Sequence, residues 1–332
     1  MFTALLLDQN DDGVTATVTE LDDAQLPEGD VTIDVEFSSL NYKDGMVLNG
    51  IGRLVRNYPH VPGVDLAGTV SASTDDRFSP GDQVICTGWR VGEAWWGGYA
   101  TKASLKADWL VKVPAGMTTR QAMAVGTAGF TAMQALVALE NHGLGAGDPL
   151  LVTGASGGVG SSAVLWAGLA GHHVVASTGR PENSDELLAL GAREIVDRAE
   201  FADNPTRPLL SERWAGCIDA VGGDPLAHVL AEMQSGGSVA ACGLVAGNAL
   251  NTTVIPFLLR GVNLLGIDSV MASFDERTRV WARIAEVMAL SSDNADKLES
   301  LTTEVGLGEL TDAADKIMAG QTKGRFVVNP NT

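Results

Sequence analysis

The sequence predicts an α/β protein of two domains, a barrel-like β domain and a doubly wound parallel sheet. Three observations carry that prediction. The 332 residues suffice for two domains of ordinary size, each with its own core. The first third alternates apolar and polar residues between Pro/Gly turns. From about Gln121 the apolar period becomes helical, and beyond it short apolar runs alternate with helices, the pattern of βαβ units.

In the first third, Val31, Ile33, Val35 and Phe37 alternate with polar residues. Pro27-Glu28-Gly29-Asp30, Pro80-Gly81-Asp82 and Pro114-Ala115-Gly116 punctuate the strands. Helices are expected at 122–125 and 131–139, which places the domain boundary near residues 115–130. Strands are expected at 150–152, 173–176, 194–196, 215–220, 238–242 and 263–267. Helices around 275–290 and 311–318 and a strand at 325–328 then return the chain to the first domain. The hydrophilic stretch 291–300 reads as a solvated loop or helix end. We therefore expect a first part at 1–125, a second domain at 126–270 and a returning tail at 271–332.

An apolar share of 45%, 39 glycines and 19% charged residues describe a folded globular enzyme. The net charge of −19 argues against nucleic acid or an anionic membrane as a partner. The pairs Asp11-Asp12, Asp22-Asp23 and Asp75-Asp76 read as solvated surface. Cys86, Cys217 and Cys242 are odd in number and lie mostly in apolar runs, which fits small core residues in a reducing compartment. The start lacks a basic leader, and no segment is expected to approach the length of a membrane span. A cytoplasmic homo-oligomer, a dimer, is the expectation.

The most informative stretch is 150–160, where Leu150-Leu151-Val152 runs into Thr153-Gly154-Ala155-Ser156-Gly157-Gly158-Val159-Gly160 and a helix-like run. Its glycines read either as Gly154-x-x-Gly157-x-x-Gly160 or as Gly158-x-Gly160-x-x-Ala163. Either gives a tight turn and a helix N-terminus aimed at a dinucleotide pyrophosphate. A plain surface turn is the alternative, and the flanking strand and helix argue against it. After the second strand stands Ser177-Thr178-Gly179-Arg180, where an NAD site would present Asp or Glu to the ribose. Hydroxyls and a cation there suit a 2′-phosphate, so NADPH is the expected cofactor.

Asn41-Tyr42-Lys43-Asp44, residues 62–68, Gly81-Asp82-Gln83-Val84, residues 126–132 and the Gly-rich turn together resemble the zinc-free medium-chain dehydrogenase/reductase superfamily. Residues 88–93, 107–111, 214–216, 239–244, 266–270 and Gly324-Arg325 resemble its acrylyl-CoA reductase branch, formerly grouped with quinone oxidoreductases. The resemblance runs along essentially the whole chain. It implies a GroES-like barrel built from the first part and the tail, a Rossmann cofactor domain inserted between, and an active site in the interdomain cleft. It also implies NADPH-dependent reduction of the double bond of an acrylyl thioester, with Arg198 as a second cation at the 2′-phosphate.

Zinc relatives carry a cysteine ligand where this chain has Asn41, and a Gly-His-Glu segment where it has Gly63-Val64-Asp65, so no metal is expected. Alkene reduction suits that set, because a conjugated thioester needs only enolate stabilisation and a proton. Tyr42, with Asn41 beside it, is the expected catalytic residue near nicotinamide and acyl group; solvent delivery of the proton and a stacking role for Tyr42 are alternatives. Asp44 is expected to be structural or orienting. Thr127, Gly243, Leu244 and Ser269 are expected on the cofactor face, and Trp89, Trp95 and Trp96 as an aromatic cluster. Arg53, Arg90 and Arg325 are the expected contacts to CoA phosphates. A quinone reductase and a non-catalytic NADPH-binding protein are the competing functions.

Overall fold

The computed structural model describes residues 1–11 and 13–332, so Asp12 of the Asp11-Asp12 pair lies outside the described residues. The chain divides into two compact units. The first comprises Met1–Thr127, Val270–Ala285 and Leu298–Thr332, and the second Ala128–Ser269 with Glu286–Lys297.

The first unit opens with the antiparallel pair β1 (Phe2–Asn10) and β2 (Gly13–Leu21). Then come β3 (Val31–Leu40), helix α1 (Tyr42–Leu48), β4 (Asp65–Ser73), β5 (Gln83–Thr87), β6 (Lys102–Leu105) and β7 (Val111–Lys112). Along β3, Val31, Ile33 and Val35 are buried while Asp34 is exposed, the inside-outside alternation of a half-buried strand. Phe37 is only half-buried, since a register shift between Val35 and Phe37 interrupts the alternation. The core beneath gathers Ile33, Leu66, Val70, Val84, Cys86 and Leu105.

Helix α2 (Thr119–Asn141) runs the two expected helices together through a kink at Gly126, whose φ of 51° and ψ of −162° are not helical. Contrary to expectation, α2 is long and apolar enough to span a bilayer. Most of its apolar window is buried in the fold, so it is built as a core helix.

The second unit strings together β8 (Pro149–Val152), α3 (Gly158–Leu169), β9 (His173–Thr178), α4 (Ser184–Leu190), β10 (Glu194–Asp197), β11 (Trp214–Asp219), α5 (Gly223–Glu232), β12 (Met233–Ala241), α6 (Ile255–Arg260) and β13 (Asn263–Gly266). All six strands are parallel, in the order β10-β9-β8-β11-β12-β13. The chain thus winds outward from β8 to one side and from β11 to the other. The reversal between those neighbours is the topological switch point, where ligands bind doubly wound sheets at the carboxyl ends of the strands.

The tail adds α7 (Phe274–Met288), α8 (Asp293–Ser300), β14 (Thr302–Gly306), α9 (Leu310–Met318) and β15 (Arg325–Asn329). β15 pairs antiparallel with β3, Phe326 opposite Leu40 and Val328 opposite Ser38, so the tail completes the first unit's sheet. The stretch read as a solvated loop or helix end is largely helix α8. It is anchored by buried Asn294, whose Nδ2 donates to the Val287 carbonyl at 3.0 Å, and by buried Leu298 one turn on. Trp89 and Trp95 pack on one core while Trp96 packs on another, so the three do not form the expected single cluster.

Candidate active site

In the second unit, the turn between β8 and α3 is drawn as tightly as backbone allows. A Cβ on Gly160 would stand against the Gly154 carbonyl oxygen and 2.7 Å from the Ala155 Cα, so only glycine fits. Gly157 N donates to Gly154 O at 2.9 Å, and α3 begins at Gly158 with its first amides facing away from its own hydrogen-bond ladder. Ala155 N donates to the Ser177 carbonyl at 3.0 Å, while the Ser156 and Thr178 hydroxyls bond at 2.7 Å. The glycine turn is thereby tied to the carboxyl end of β9.

Thr178 Oγ1 also accepts the Arg180 amide at 3.1 Å, which shapes the turn after β9. Arg198 enters from the end of β10, its guanidinium and Cδ filling the space where a side chain on Gly179 would stand. Residues 177–180 and Arg198 are therefore brought together, with Arg180 half-buried and Arg198 exposed.

At the switch point, buried Asp219 ends β11. Its carboxylate accepts Thr153 Oγ1 at 2.7 Å and the Gly222 amide at 2.8 Å, and its carbonyl accepts the Gly243 amide at 3.2 Å. Burial raises its pKa, opposed by those bonds. Asp219 went unrecognised in the sequence, where it reads as one more residue of a strand end. Leu244 is two-thirds exposed beside Gly243, and Ser269 Oγ accepts the Thr131 hydroxyl at 2.7 Å.

The first unit holds a buried polar network around the start of α1. Asp65 is fully buried at the head of β4. It accepts Ser39 Oγ at 2.5 Å, Asn41 Nδ2 at 2.9 Å and the Thr127 amide at 2.7 Å on one oxygen, and Thr127 Oγ1 at 2.5 Å on the other. Arg325 crosses beside it, donating to Asn41 Oδ1 at 2.9 Å and Ser39 Oγ at 3.0 Å. Asp44 closes the first turn of α1 by accepting the Asn41 amide at 2.9 Å, and ties it to the residue before β4 by accepting the Val64 amide at 2.9 Å. Burial, reinforced by the Asp65 carboxyl group, pushes Asp44 up to about 7. Burial likewise pushes the Arg325 guanidinium down and the Tyr99 phenol well up; Tyr99 donates to the Ser39 carbonyl at 3.1 Å.

Two expectations need correction. Arg325 is 3% exposed and spends its donors inside the protein, so it is no contact for a CoA phosphate. Asn41 has both ends of its amide engaged, which makes it a positioning residue rather than one that touches substrate. The Thr127 hydroxyl donates to Asp65 and keeps its acceptor lone pairs. Tyr42, the first residue of α1, is 45% exposed, which leaves its ring available to a ligand.

Residues 27–115 match the alcohol dehydrogenase GroES-like domain family, and residues 158–290 the zinc-binding dehydrogenase family. The chain is 55% identical to acrylyl-CoA reductase AcuI of Ruegeria pomeroyi across the full length of both. Its fold is similar to that of the yhdH oxidoreductase of Salmonella enterica in complex with NADP, with TM-score 0.94, 48% identity and coverage of 98% and 99% of the two chains. It is equally similar to the Bacillus subtilis protein yhfP with NAD bound, with TM-score 0.94, 42% identity and 99% of each chain covered. The chain belongs to the acrylyl-CoA reductase branch of the medium-chain dehydrogenase/reductase superfamily.

One matching family description implies zinc, yet the donor set of this reductase-branch member does not fit it. Asn41 and Asp65 are bonded to the Arg325 network, and a second cation would compete with the guanidinium. Among the described residues no group of three or more His, Cys, Asp or Glu is arranged to hold a metal. The cysteines offer no substitute: burial pushes Cys86 and Cys242 up to about 12, and Cys217 also well up. A nicotinamide dinucleotide does fit, because the Gly154–Gly160 cradle leaves room for backbone contact alone. Arg53 and Arg90 are both exposed in the first unit, each with positive φ.

Proposed function

We propose that this protein reduces the conjugated carbon-carbon double bond of acrylyl-CoA with NADPH, giving propionyl-CoA. The observation that carries the reading is the full-length 55% identity to an acrylyl-CoA reductase, which spans both units. NADPH supplies the hydride, held by Gly154, Ser156, Gly157, Gly158, Val159 and Gly160 at the pyrophosphate and by Ser177, Thr178, Gly179, Arg180 and Arg198 at the 2′-phosphate. Gly243, Leu244 and Ser269 complete the nucleotide face.

Asp44, Asp65 and Arg325 hold Asn41, and so fix the first turn of α1 from which Tyr42 projects. The Tyr42 phenol donates a hydrogen bond to the thioester oxygen as the β-carbon accepts hydride and negative charge moves onto that oxygen. The α-carbon then takes its proton from Tyr42 or from solvent. Tyr42→Phe should lower kcat about tenfold or more while KM moves little; an unchanged kcat would remove Tyr42 from the chemistry. Arg53 and Arg90 are the exposed cations offered to the CoA handle.

The buried thiols of Cys86 and Cys217 suit the reducing cytoplasm in which we place the protein. β13 is an edge strand, with Leu258, Leu259 and Leu264 exposed around it, and supports a homodimer through that edge. Sedimentation of the Leu258→Glu/Leu259→Glu variant should show monomers; an unchanged dimer would move the interface elsewhere.

A quinone reductase is the second reading, favoured by the name quinone oxidoreductase carried by the Bacillus subtilis relative. Steady-state kcat/KM for acrylyl-CoA and benzoquinone, at one pH and salt concentration with NADPH, separates the two. We expect acrylyl-CoA to be far the better acceptor; comparable turnover of quinones would favour the second reading.

A further inference from the structure

Arg90 and Lys43 share a single buried carboxylate. Glu93 is 5% exposed, and each of its oxygens takes one cation: Lys43 Nζ at 3.0 Å on Oε1 and Arg90 Nε at 3.7 Å on Oε2. Both cations stay open to solvent, Arg90 about half-exposed and Lys43 about a third. One carboxylate holding two cations leaves a net positive charge, in a chain whose own balance is −19. The Arg90 side chain is 48% exposed and its nearest approach to Glu93 is through Nε, which leaves a guanidinium with five donors at the surface.

The backbone that carries Arg90 is also under constraint. Trp89 and Arg90 sit at φ of 55° and 60°, a left-handed conformation that non-glycine residues rarely adopt. The turn is clamped on both sides. Trp89 N donates to the Val270 carbonyl at 2.8 Å, and its ring lies 5.0 Å from the guanidinium carbon of buried Arg277, itself bonded to Thr87 Oγ1 at 3.0 Å. The amides of Glu93 and Ala94 both donate to the Arg90 carbonyl, at 3.1 and 2.9 Å. Such outliers persist where the surroundings over-determine them, and they concentrate at ligand sites. Here the clamp fixes where the Arg90 side chain leaves the surface.

We propose that Lys43 and Arg90, mounted on Glu93, form an anion subsite that receives a phosphate of the CoA handle. The inference rests on the acyl-CoA reading given above and assigns the recognition of that substrate to named residues. Lys43 follows Tyr42 on the same helix turn, which joins the anion subsite to the proposed acyl end. Glu93 is the positioning residue of the pair, because it sets the spacing of the two cations and keeps them from folding onto other acids.

The test measures kcat/KM with NADPH for acrylyl-CoA, acrylyl-dephospho-CoA and acrylyl-pantetheine in the unmutated enzyme, Arg90→Gln and Lys43→Gln, with circular dichroism to confirm the fold. The unmutated enzyme should prefer acrylyl-CoA to acrylyl-pantetheine. Each variant should reduce that preference about fivefold to twentyfold, the range for a partly exposed charge-assisted contact. If the effect disappears with acrylyl-dephospho-CoA, the 3′-phosphate is the ligand; if it persists, the pyrophosphate is. An unchanged preference in both variants would overturn the subsite, as would weakened NADPH binding by fluorescence titration with the thioester preference intact. Failure of the unmutated enzyme to reduce acrylyl-CoA at all would instead overturn the reading on which the subsite stands.

Discussion

Arg325 donates from Nη1 to Asn41 Oδ1 at 2.9 Å across 284 residues of sequence, so strand β15 holds the N-cap residue of helix α1. Replacing this fully buried cation by methionine leaves the Asp65 carboxyl group without its guanidinium. Breaking one side of a buried ionic network costs about 3–5 kcal/mol. Urea unfolding of Arg325→Met should show that loss, with Arg325→Lys recovering part of it. A variant of normal stability and selectively raised KM for acrylyl-CoA would return Arg325 to the substrate contacts from which its burial removes it.

Gly126 leaves no room for a side chain. Its φ and ψ lie in a region that only glycine enters readily, and a Cβ there would stand 2.5 Å from Arg325 Nη2, 2.6 Å from Ser39 Oγ and 2.8 Å from Asp65 Oδ2. Gly126→Ala should therefore cost about 2–4 kcal/mol, from backbone strain and displacement of the network. A fall in unfolding midpoint of less than about 2 °C would show that the network moves aside cheaply.

The second unit was legible because its signals are local. Strand, glycine turn and helix follow one another within residues 150–169, and period alone distinguishes the apolar strands from the helices around them. The first unit's site was not, because its members are scattered. Ser39, Asp65, Tyr99 and Arg325 stand apart in sequence, and pairing of β15 with β3 brings Arg325 to Ser39 and Asn41. Arg325 was misplaced for that reason, since a cation near the chain end reads as solvated until its strand is buried. The extent of helix α8 was not legible because just two buried residues, Asn294 and Leu298, anchor an otherwise polar stretch. Local periodicity carries no information on pairings made across the chain.

Arg180 and Arg198 should together set the preference for NADPH over NADH. Each is offered one charge-assisted phosphate contact, worth on the order of 1.5–3 kcal/mol. Arg180→Ala and Arg198→Ala should each lower the ratio of kcat/KM for NADPH over NADH about tenfold, with NADH kinetics little altered. Equal use of both cofactors by the unmutated enzyme would show instead that this end of β9 selects nothing.

Asp44 should make the protein less stable as pH rises. Its carboxyl group titrates near 3.8 in the unfolded chain and at about 7 when folded, so between those values the folded state binds the extra proton. That stabilisation is present at pH 4 and is lost on the way to pH 7 and above. Urea midpoints measured from pH 5 to 8 should fall, and Asp44→Asn should flatten the slope while lowering stability overall, since an amide cannot accept both the Asn41 and Val64 amides equally well. An identical slope in the variant would assign the titration to another group.

The most direct test of the chemistry follows the label from deuterated cofactor into product. With NADPH deuterated at the transferable C4 position and acrylyl-CoA in ordinary water, mass spectrometry and NMR of the propionyl-CoA formed should place one deuterium on the β-carbon. The converse experiment, in deuterated water with ordinary NADPH, should place deuterium on the α-carbon alone. Label from the cofactor at the α-carbon, or oxidation of NADPH without propionyl-CoA, would contradict hydride delivery to a conjugated thioester.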